Sequence, residues 1–544
     1  MRVLLFALAA LTVVGCQSNS PLPAYEMLVT EISAGAEPSI VVLRESVLAT
    51  EDLAARLKRL EELELQAMEL VEDEPLKLGS IGSAILDTYY ASLTGHLVMQ
   101  RFYEHVESDA AQMHGRWLQR ILSAVENGND GTTLAPFVAM TAVEAKMYAL
   151  AKDLEPVGSL YQFNEHNPFG LLLQTRGTDG PIQRVIFQLA GTQALIGRRA
   201  TANDGGFTPL MMMGELARSG DTAAQASVGG FLAAQDRLND AIGWLHAASR
   251  SGNLAANSML ARVYWRKAQT AESEERKRAA MDNVLENYLH AVALGSAEAM
   301  YALGVLYINE DFGEVNVNSA VPLMQQAGER GHSDALLYLA HLYYAGETVP
   351  RDLDQAEGYF VRSAVLDNAQ ARLSYARYLI QEAERAGDPR TMVWLEEMAK
   401  QDEARAMVLL GNLYARGIQA DQSARRALRW FKNAIKAAPQ DPEIVNEIAW
   451  TLAVTDLEDL REERYALRIM TSMMSADSEA RTRPEYLDTW AAALAANGNF
   501  DAAVEKQALA LSAALANDRD DVIEVLEEHM DLFKSGRAVT EGVP

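Results

Sequence analysis

The sequence predicts a mostly α chain, a right-handed α-solenoid of stacked helical hairpins, with a small antiparallel β element near residues 158–190. Three observations predict it. Ala261, Gly304, Ala340, Ala376 and Gly411 recur at steps of 43, 36, 36 and 35 residues, each in a helix-like run with a large residue three places on: Tyr264, Tyr307, Tyr343, Leu379 and Tyr414. Second helices carry their own pattern: Ala241, Trp244 and Ala248; Ala320, Leu323 and Ala327; Ala356, Tyr359 and Ser363; Ala427, Trp430 and Ala434. Strand-like runs are confined to one segment, about 158–200. Self-similarity at a period of about 20–50 residues marks a solenoid.

The i, i+3 and i+4 spacing puts the small and large residues on one helix face. Small residues admit a close neighbouring helix, and the Tyr or Trp is expected to fill the gap beside them. One hairpin cannot bury such a face alone, so hairpins must stack. Turn-like segments, Tyr344-Ala345-Gly346 and Ala415-Arg416-Gly417, separate the paired helices. Ala406, Leu410-Gly411-Asn412-Leu413-Tyr414, Gly417, Ala427-Leu428-Arg429-Trp430 and Ala434 together resemble the SEL-one-like repeat, a relative of the tetratricopeptide repeat. Ala299 with Leu303-Gly304-Val305-Leu306-Tyr307 does too. The resemblance spans Asp221 to Ala437 and implies a repeat solenoid, a fold that hosts many roles.

In chain order, residues 1–15 read as a lipoprotein signal peptide. Met1-Arg2 is a short positive start, and residues 3–14 are almost continuously apolar, too short to span a bilayer, which takes about 20 residues. Val13-Val14-Gly15-Cys16 resembles a bacterial lipobox. That resemblance implies cleavage before Cys16, a diacylglyceryl thioether on its sulfur and an acylated amine, with palmitate as the expected label. Gln17 stands where Asp would favour inner-membrane retention, which by the same resemblance implies the outer membrane, periplasm-facing. An ordinary signal peptide with a chance cysteine is the alternative. Cys16 is the sole cysteine, so an internal disulfide is excluded.

Residues 16–157 read as an N-terminal helical region, with helices over 24–33, 40–48, 84–106, 110–126 and 136–151. A further helix is expected to be capped by Thr50 and ended by Pro75, with Leu53, Leu57, Leu60, Leu63, Ala67 and Val71 as its apolar stripe. Residues 158–206 form a β-containing insertion and linker. Runs at 159–163, 169–175 and 185–189, bounded by Gly, Pro and Asp, read as two or three antiparallel strands, either a cap or spacer for the solenoid or an exposed edge for a partner. The repeat solenoid takes residues 207–437. Residues 438–534 hold tetratricopeptide-like pairs and a polar terminal cap, and the tail 535–544 is expected to fray.

The net charge of −27 and pI near 4.8 disfavour nucleic acid and anionic lipid surfaces as partners. The nine histidines form no His-Glu-x-x-His pair, and no metal or cofactor is predicted. Glu104-His105 and Glu165-His166 are the acid/base candidates; the bland alternative is an ordinary helix or loop histidine. Serine-hydrolase elbows and phosphate loops are missing from the sequence. The repeat-position rings, Tyr264, Tyr307, Tyr343, Tyr414, Trp244 and Trp430, are expected in the core. Their neighbours Trp265, Tyr344 and Phe360 are the candidate binding surface.

These readings predict no enzyme but a periplasmic scaffold, lipid-anchored at the outer membrane, gripping a periplasmic or outer-membrane protein. Resemblance to SEL-one-like lipoproteins implies assembly roles, exopolysaccharide export among them. The alternatives are a glycan or peptidoglycan binder using exposed aromatics, and a hydrolase within residues 80–200.

Overall fold

A computed structural model describes residues 22–542 except 166, 179, 203 and 204. Among these are 26 α-helices and a single four-stranded sheet. The chain divides into two compact units, with the boundary in sequence between Leu303 and Gly304, within the helix Ala297–Ile308.

The first unit opens on the helices Tyr25–Ser33, Ile40–Ala49 and Leu53–Leu70. Leu53, Leu57, Leu60 and Ala67 of the expected stripe are buried, as is Val71 just beyond. Thr50 does not cap that helix. It ends the preceding one, where its hydroxyl donates to the Val47 carbonyl, and Asp52 takes the N-cap position. Pro75 opens a short 3-10 turn, since a proline fits a first turn and not a helix interior. The expected helix over 84–106 is two, Leu78–Thr88 and Leu93–His105, broken where Ser92 caps the second by accepting from the Gly95 N–H.

The segment 136–151 also divides. Phe137–Ala139 is a strand, β1, and Ala142–Ala151 is a helix capped by Thr141. With β2 (Glu155–Gln162), β3 (Gly170–Arg176) and β4 (Ile182–Leu189) it forms a sheet in the order β1-β4-β3-β2. The three later strands are antiparallel, but β1 runs parallel to β4, with Phe137 opposite Phe187. The sheet is therefore mixed and starts earlier than the sequence signals, because β1 has only three residues, too few for period-two alternation to register.

The repeat hairpins of this unit are Thr222–Ala234 with Leu238–Arg250, and Leu254–Gln269 with Glu274–Ala293. The last two helices, 16 and 20 residues long, account for the 43-residue step. In the second unit the pairs are Ser333–Ala345 with Leu353–Val365, Ala369–Gln381 with Arg390–Ala399, and Ala404–Arg416 with Ala424–Ala437.

The small residues lie inside as expected: Ala261, Ala340 and Ala376 have no exposed surface, and Gly304 and Gly411 are buried. What they nest is not the residue expected. A methyl at Gly411 would come 2.5 Å from Phe431 Cδ1, one at Gly304 2.9 Å from Met324 Cγ, and one at Gly229 2.5 Å from Leu245 Cγ. Each knob is the residue after the Trp or Leu singled out in the second helix. Four places after the small Ala241, Ala320, Ala356 and Ala427 come Leu245, Met324, Phe360 and Phe431, at most 1% exposed, whereas Trp244, Tyr359 and Trp430 are half-buried. Of the expected core tyrosines Tyr414 is buried, while Tyr264, Tyr307 and Tyr343 are half-buried. A ring at +3 lies off the centre of the face that +4 occupies.

The turns repeat with the same steps. Gly252, Gly295, Gly331, Asp367 and Asp402 all hold positive φ, between 61° and 85°. Each is followed by a capping side chain, Asn253, Ser296, His332, Asn368 and Glu403, that accepts from a backbone N–H of the next helix. Gly346 and Gly417 close their helices at φ 73° and 72°.

The C-terminal pairs are Pro442–Val454 with Glu463–Ala476 and Pro484–Ala496 with Phe500–Ala516, followed by Asp520–Lys534. The tail beyond, as far as residue 542, is not frayed. Val539 is buried, the Asp456 N–H donates to the Glu541 carbonyl at 2.8 Å, and the Glu541 N–H donates to Val454 at 2.8 Å. Burial of one apolar side chain and two backbone hydrogen bonds outweigh the fraying expected of a terminus.

Candidate functional site

The acid/base candidates do not assemble a site. Glu104 and His105 are exposed at the end of one helix, with Glu104 accepting from Gln100 Nε2 at 2.8 Å, and His166 lies outside the described residues. The titratable groups that do cluster are buried. Glu64, with no exposed surface, accepts from Thr141 Oγ1 at 2.6 Å and Ser92 Oγ at 3.3 Å; burial, then the neighbouring Glu144, raises its pKa. Glu144 accepts from the Met140 and Leu93 N–H groups, and Arg44 donates to the Val138 carbonyl at 3.0 Å. This network ties the first helices to β1.

A buried histidine pair stands beside it. His96 Nδ1 and His114 Nδ1 lie 3.0 Å apart, and His96 Nε2 lies 2.9 Å from the Tyr90 carbonyl. A carbonyl only accepts, so His96 carries its proton on Nε2 and His114 donates from Nδ1. Burial, reinforced by His114, pushes His96 down to about 3. Both rings are neutral and stack on Trp117 and Tyr103. No three metal-ligating side chains gather among the described residues.

The β2 edge of the sheet is closed. Strand β2 lies at one side of the sheet, where its backbone is met by helix side chains. The Tyr161 N–H donates to Ser227 Oγ at 2.8 Å, the Ser159 N–H donates to Asn253 Oδ1 at 3.2 Å, and Asn253 Nδ2 returns a bond to the Ser159 carbonyl at 2.8 Å. Of the two readings, cap or spacer and exposed edge, the β2 side fits the first and not the second: the sheet is docked onto the repeat helices Thr222–Ala234 and Leu254–Gln269.

Where β2 runs out, that docking leaves a cleft of about 520 Å³. Leu160, Phe163, Phe231 and Met259 form its apolar walls, with Gln162, Arg262 and Arg266 among them. Arg266 is committed, donating to the Ala233 carbonyl and to Asp236 at 2.7 Å each. Arg262 is exposed and makes no hydrogen bond or ion pair among the described residues. The Gln162 amide nitrogen is out of reach of solvent and has no partner.

The candidate binding surface fares unevenly. Trp265 is 37% exposed, one turn beyond Arg262 on the same helix. Tyr344 is half-buried and occupied within its own unit: its hydroxyl donates to Gln381 at 2.7 Å, its ring meets Tyr378 edge-on, and the Arg351 guanidinium lies over it. Phe360 is 1% exposed and cannot belong to a binding surface, because it is the knob of its hairpin. Sequence reasoning missed Phe163, Phe231 and Arg262. Arg262 stands beside the repeat position Ala261 and Phe163 ends a ring-rich strand run, but neither signal marks a cleft.

The Sel1 repeat family matches residues 297–332, 333–368 and 404–438. The unit it skips, 369–403, holds the departure at Leu379 and a second helix of only ten residues. No curated protein matches the chain. Among solved structures, a Sel1 repeat protein from Oxalobacter formigenes is 16% identical, covering 57% of this chain and 88% of its own, with a TM-score of 0.40. A protective antigen of uropathogenic Escherichia coli strains, displaying an SLR fold, is 15% identical over 95% of this chain and 98% of its own, with a TM-score of 0.41. A putative Sel1 repeat protein from Klebsiella pneumoniae subsp. pneumoniae is 20% identical over 42% and 92%, with a TM-score of 0.24. Three matched Sel1 repeats, together with hairpins that nest a small residue of one helix against a large residue of the next, make this chain a Sel1-like, TPR-type helical-repeat protein.

Proposed function

We propose that this protein is an envelope scaffold: acylated on Cys16, held at the periplasmic face of the outer membrane, and binding a periplasmic or outer-membrane protein through its repeat helices, in envelope or exopolysaccharide-export assembly. The Sel1-type repeat fold suggests a protein–protein interaction role, and such repeat proteins are typically non-catalytic. The observation that carries the reading is the cleft at the end of β2, where aromatic and arginine side chains, the residue types enriched at interface hot spots, are gathered at the surface. The anchor rests on the apolar run and the position of Cys16. Two or more acyl chains give stable membrane attachment where one is marginal.

Labelled palmitate should enter the wild-type chain and not a Cys16→Ser variant, and the wild type should sediment with outer membranes. A full-length chain recovered unlabelled in the soluble periplasm would end the anchoring proposal. The exposed rings also favour a second reading, direct glycan binding. Purified sacculi retaining the chain in the absence of other proteins would support it over the scaffold.

A further inference from the structure

Two of the three aromatic rings exposed among the described residues, Phe163 and Phe231, line the cleft at the end of β2. Phe163 is 44% exposed, Phe231 39% and Trp265 37%; the other described Phe, Trp and Tyr residues are buried or half-buried. Phe163 and Phe231 come from β2's end and the helix Thr222–Ala234, so the fold and not a local sequence run brings them together, while Trp265 lies outside the lining on the helix Leu254–Gln269. Scattered exposed apolar residues need no explanation, but a gathered set marks a contact site.

The charge pattern at the same place is equally unusual. The chain has 75 acidic residues, yet none lines this cleft; its charged lining is Arg262 and Arg266 alone. Arg266 is satisfied by Asp236, whereas Arg262 has Ser258, Met259, Trp265 and Arg266 as its i±3 and i±4 neighbours, none of them an acid. The unpartnered Gln162 amide nitrogen adds a second group suited to an acceptor. Apolar walls, an unpaired guanidinium and an orphan amide donor together describe a ligand with a bulky apolar side chain beside a carboxylate. The cleft's volume is in the range of ligand sites, about 300–1,000 Å³. Trp265, exposed one turn beyond Arg262 but outside the cleft's lining, offers a second apolar contact to a ligand that runs along the helix, as an extended polypeptide would.

Resting on the scaffold reading, we infer that the cleft between the end of β2 and the helices carrying Phe231 and Arg262 docks a segment of the partner protein in which a large apolar residue stands next to an Asp or Glu. The apolar side chain fills the space between Phe163, Phe231 and Met259, and the carboxylate meets Arg262.

The probe is a random twelve-residue peptide library displayed on phage, selected on the full-length chain. Selected peptides should pair an acid with an aromatic or branched apolar residue. Phe231→Ser should weaken them tenfold or more, and Arg262→Glu should do the same while shifting a fresh selection towards Lys and Arg. Thermal melting checks that both variants fold. Peptides without acid preference, or binding Arg262→Glu as well as wild type, would overturn the inference.

A photo-cross-linking residue placed at 231, or at the exposed position 515 as a control, separates this inference from the reading beneath it. A protein captured through 231 and lost with Arg262→Glu supports the cleft. A protein captured only through 515 sinks the cleft and leaves the scaffold standing. Capture of lipid or of a second copy of this chain through 231 refutes the occupant, and capture of nothing at either position refutes both.

Discussion

Gly411 and Phe431 occupy each other's space: a methyl on Gly411 would stand 2.5 Å from Phe431 Cδ1 and 2.9 Å from its Cζ, and Phe431 is fully buried. A buried aromatic ring cannot swing aside as an exposed chain end would. Gly411→Ala is therefore expected to destabilise the second unit by about 1–3 kcal/mol, the cost of overpacking. Adding Phe431→Leu should recover part of that loss, because the two positions share one volume and their effects do not add. Denaturant unfolding of the single and double variants measures both.

The turn period yields a pair of substitutions with opposite signs. Gly331 has φ 85° and open space around its Cα, so Gly331→Ala meets only backbone strain, about 1–2 kcal/mol. Gly358 lies exposed within the helix Leu353–Val365, also with open space, so Gly358→Ala should stabilise by about 0.5–1 kcal/mol. Melting temperatures of the two variants should move in opposite directions.

The buried groups of the first unit set opposed pH limits. His96 is held at about 3 when folded, against 6.5 when unfolded, by burial and then His114. Between those values the unfolded chain binds the extra proton, so stability falls as pH drops from 6.5 towards 3, by up to about 1.4 kcal/mol per pH unit. Glu64 has the reverse sign. Burial raises its folded pKa above 4.5, so its contribution is full below 4.5 and is lost as pH rises through the folded value. Melting from pH 4 to 9 should show His96→Asn flattening the acid limb and Glu64→Gln flattening the alkaline one.

The docked tail gives a local test. Deleting residues 538–544 removes the buried Val539 and both backbone bonds of Glu541. Unfolding should become easier by about 1.5–3 kcal/mol, and the Asp456 amide should exchange faster with solvent. Unchanged exchange at Asp456 would mean the tail is not bound there in solution.

Much of the repeat stretch was readable because its period repeats. The small residues at 261, 304, 340, 376 and 411 recur at unequal but similar steps, and the left-handed turn residues at 252, 295, 331, 367 and 402 keep the same steps nine places earlier. That second series could have been read from Gly or Asp followed by a capping side chain. The identity of the knob was harder. Trp430 and Phe431 are both large and apolar, and only the position of the facing helix decides that Phe431 goes inside. Phe360 reads as a surface residue in the sequence for the same reason, and the fold buries it. Strand β1 escaped because three residues carry no periodicity and its partner β4 lies some fifty residues away. The cleft was invisible in principle, being assembled from a strand end and two helices far apart in sequence.

The central claim is that this chain acts by holding a protein. Its most direct test is to cross-link the tagged full-length chain in intact source cells and identify what is attached. The account predicts a stoichiometric envelope protein, recovered equally from wild type and from an Glu104→Gln, His105→Ala double variant, and lost with Phe231→Ser. Absence of any protein partner, or loss of cellular function in the Glu104, His105 variant while partner binding stays intact, would contradict it.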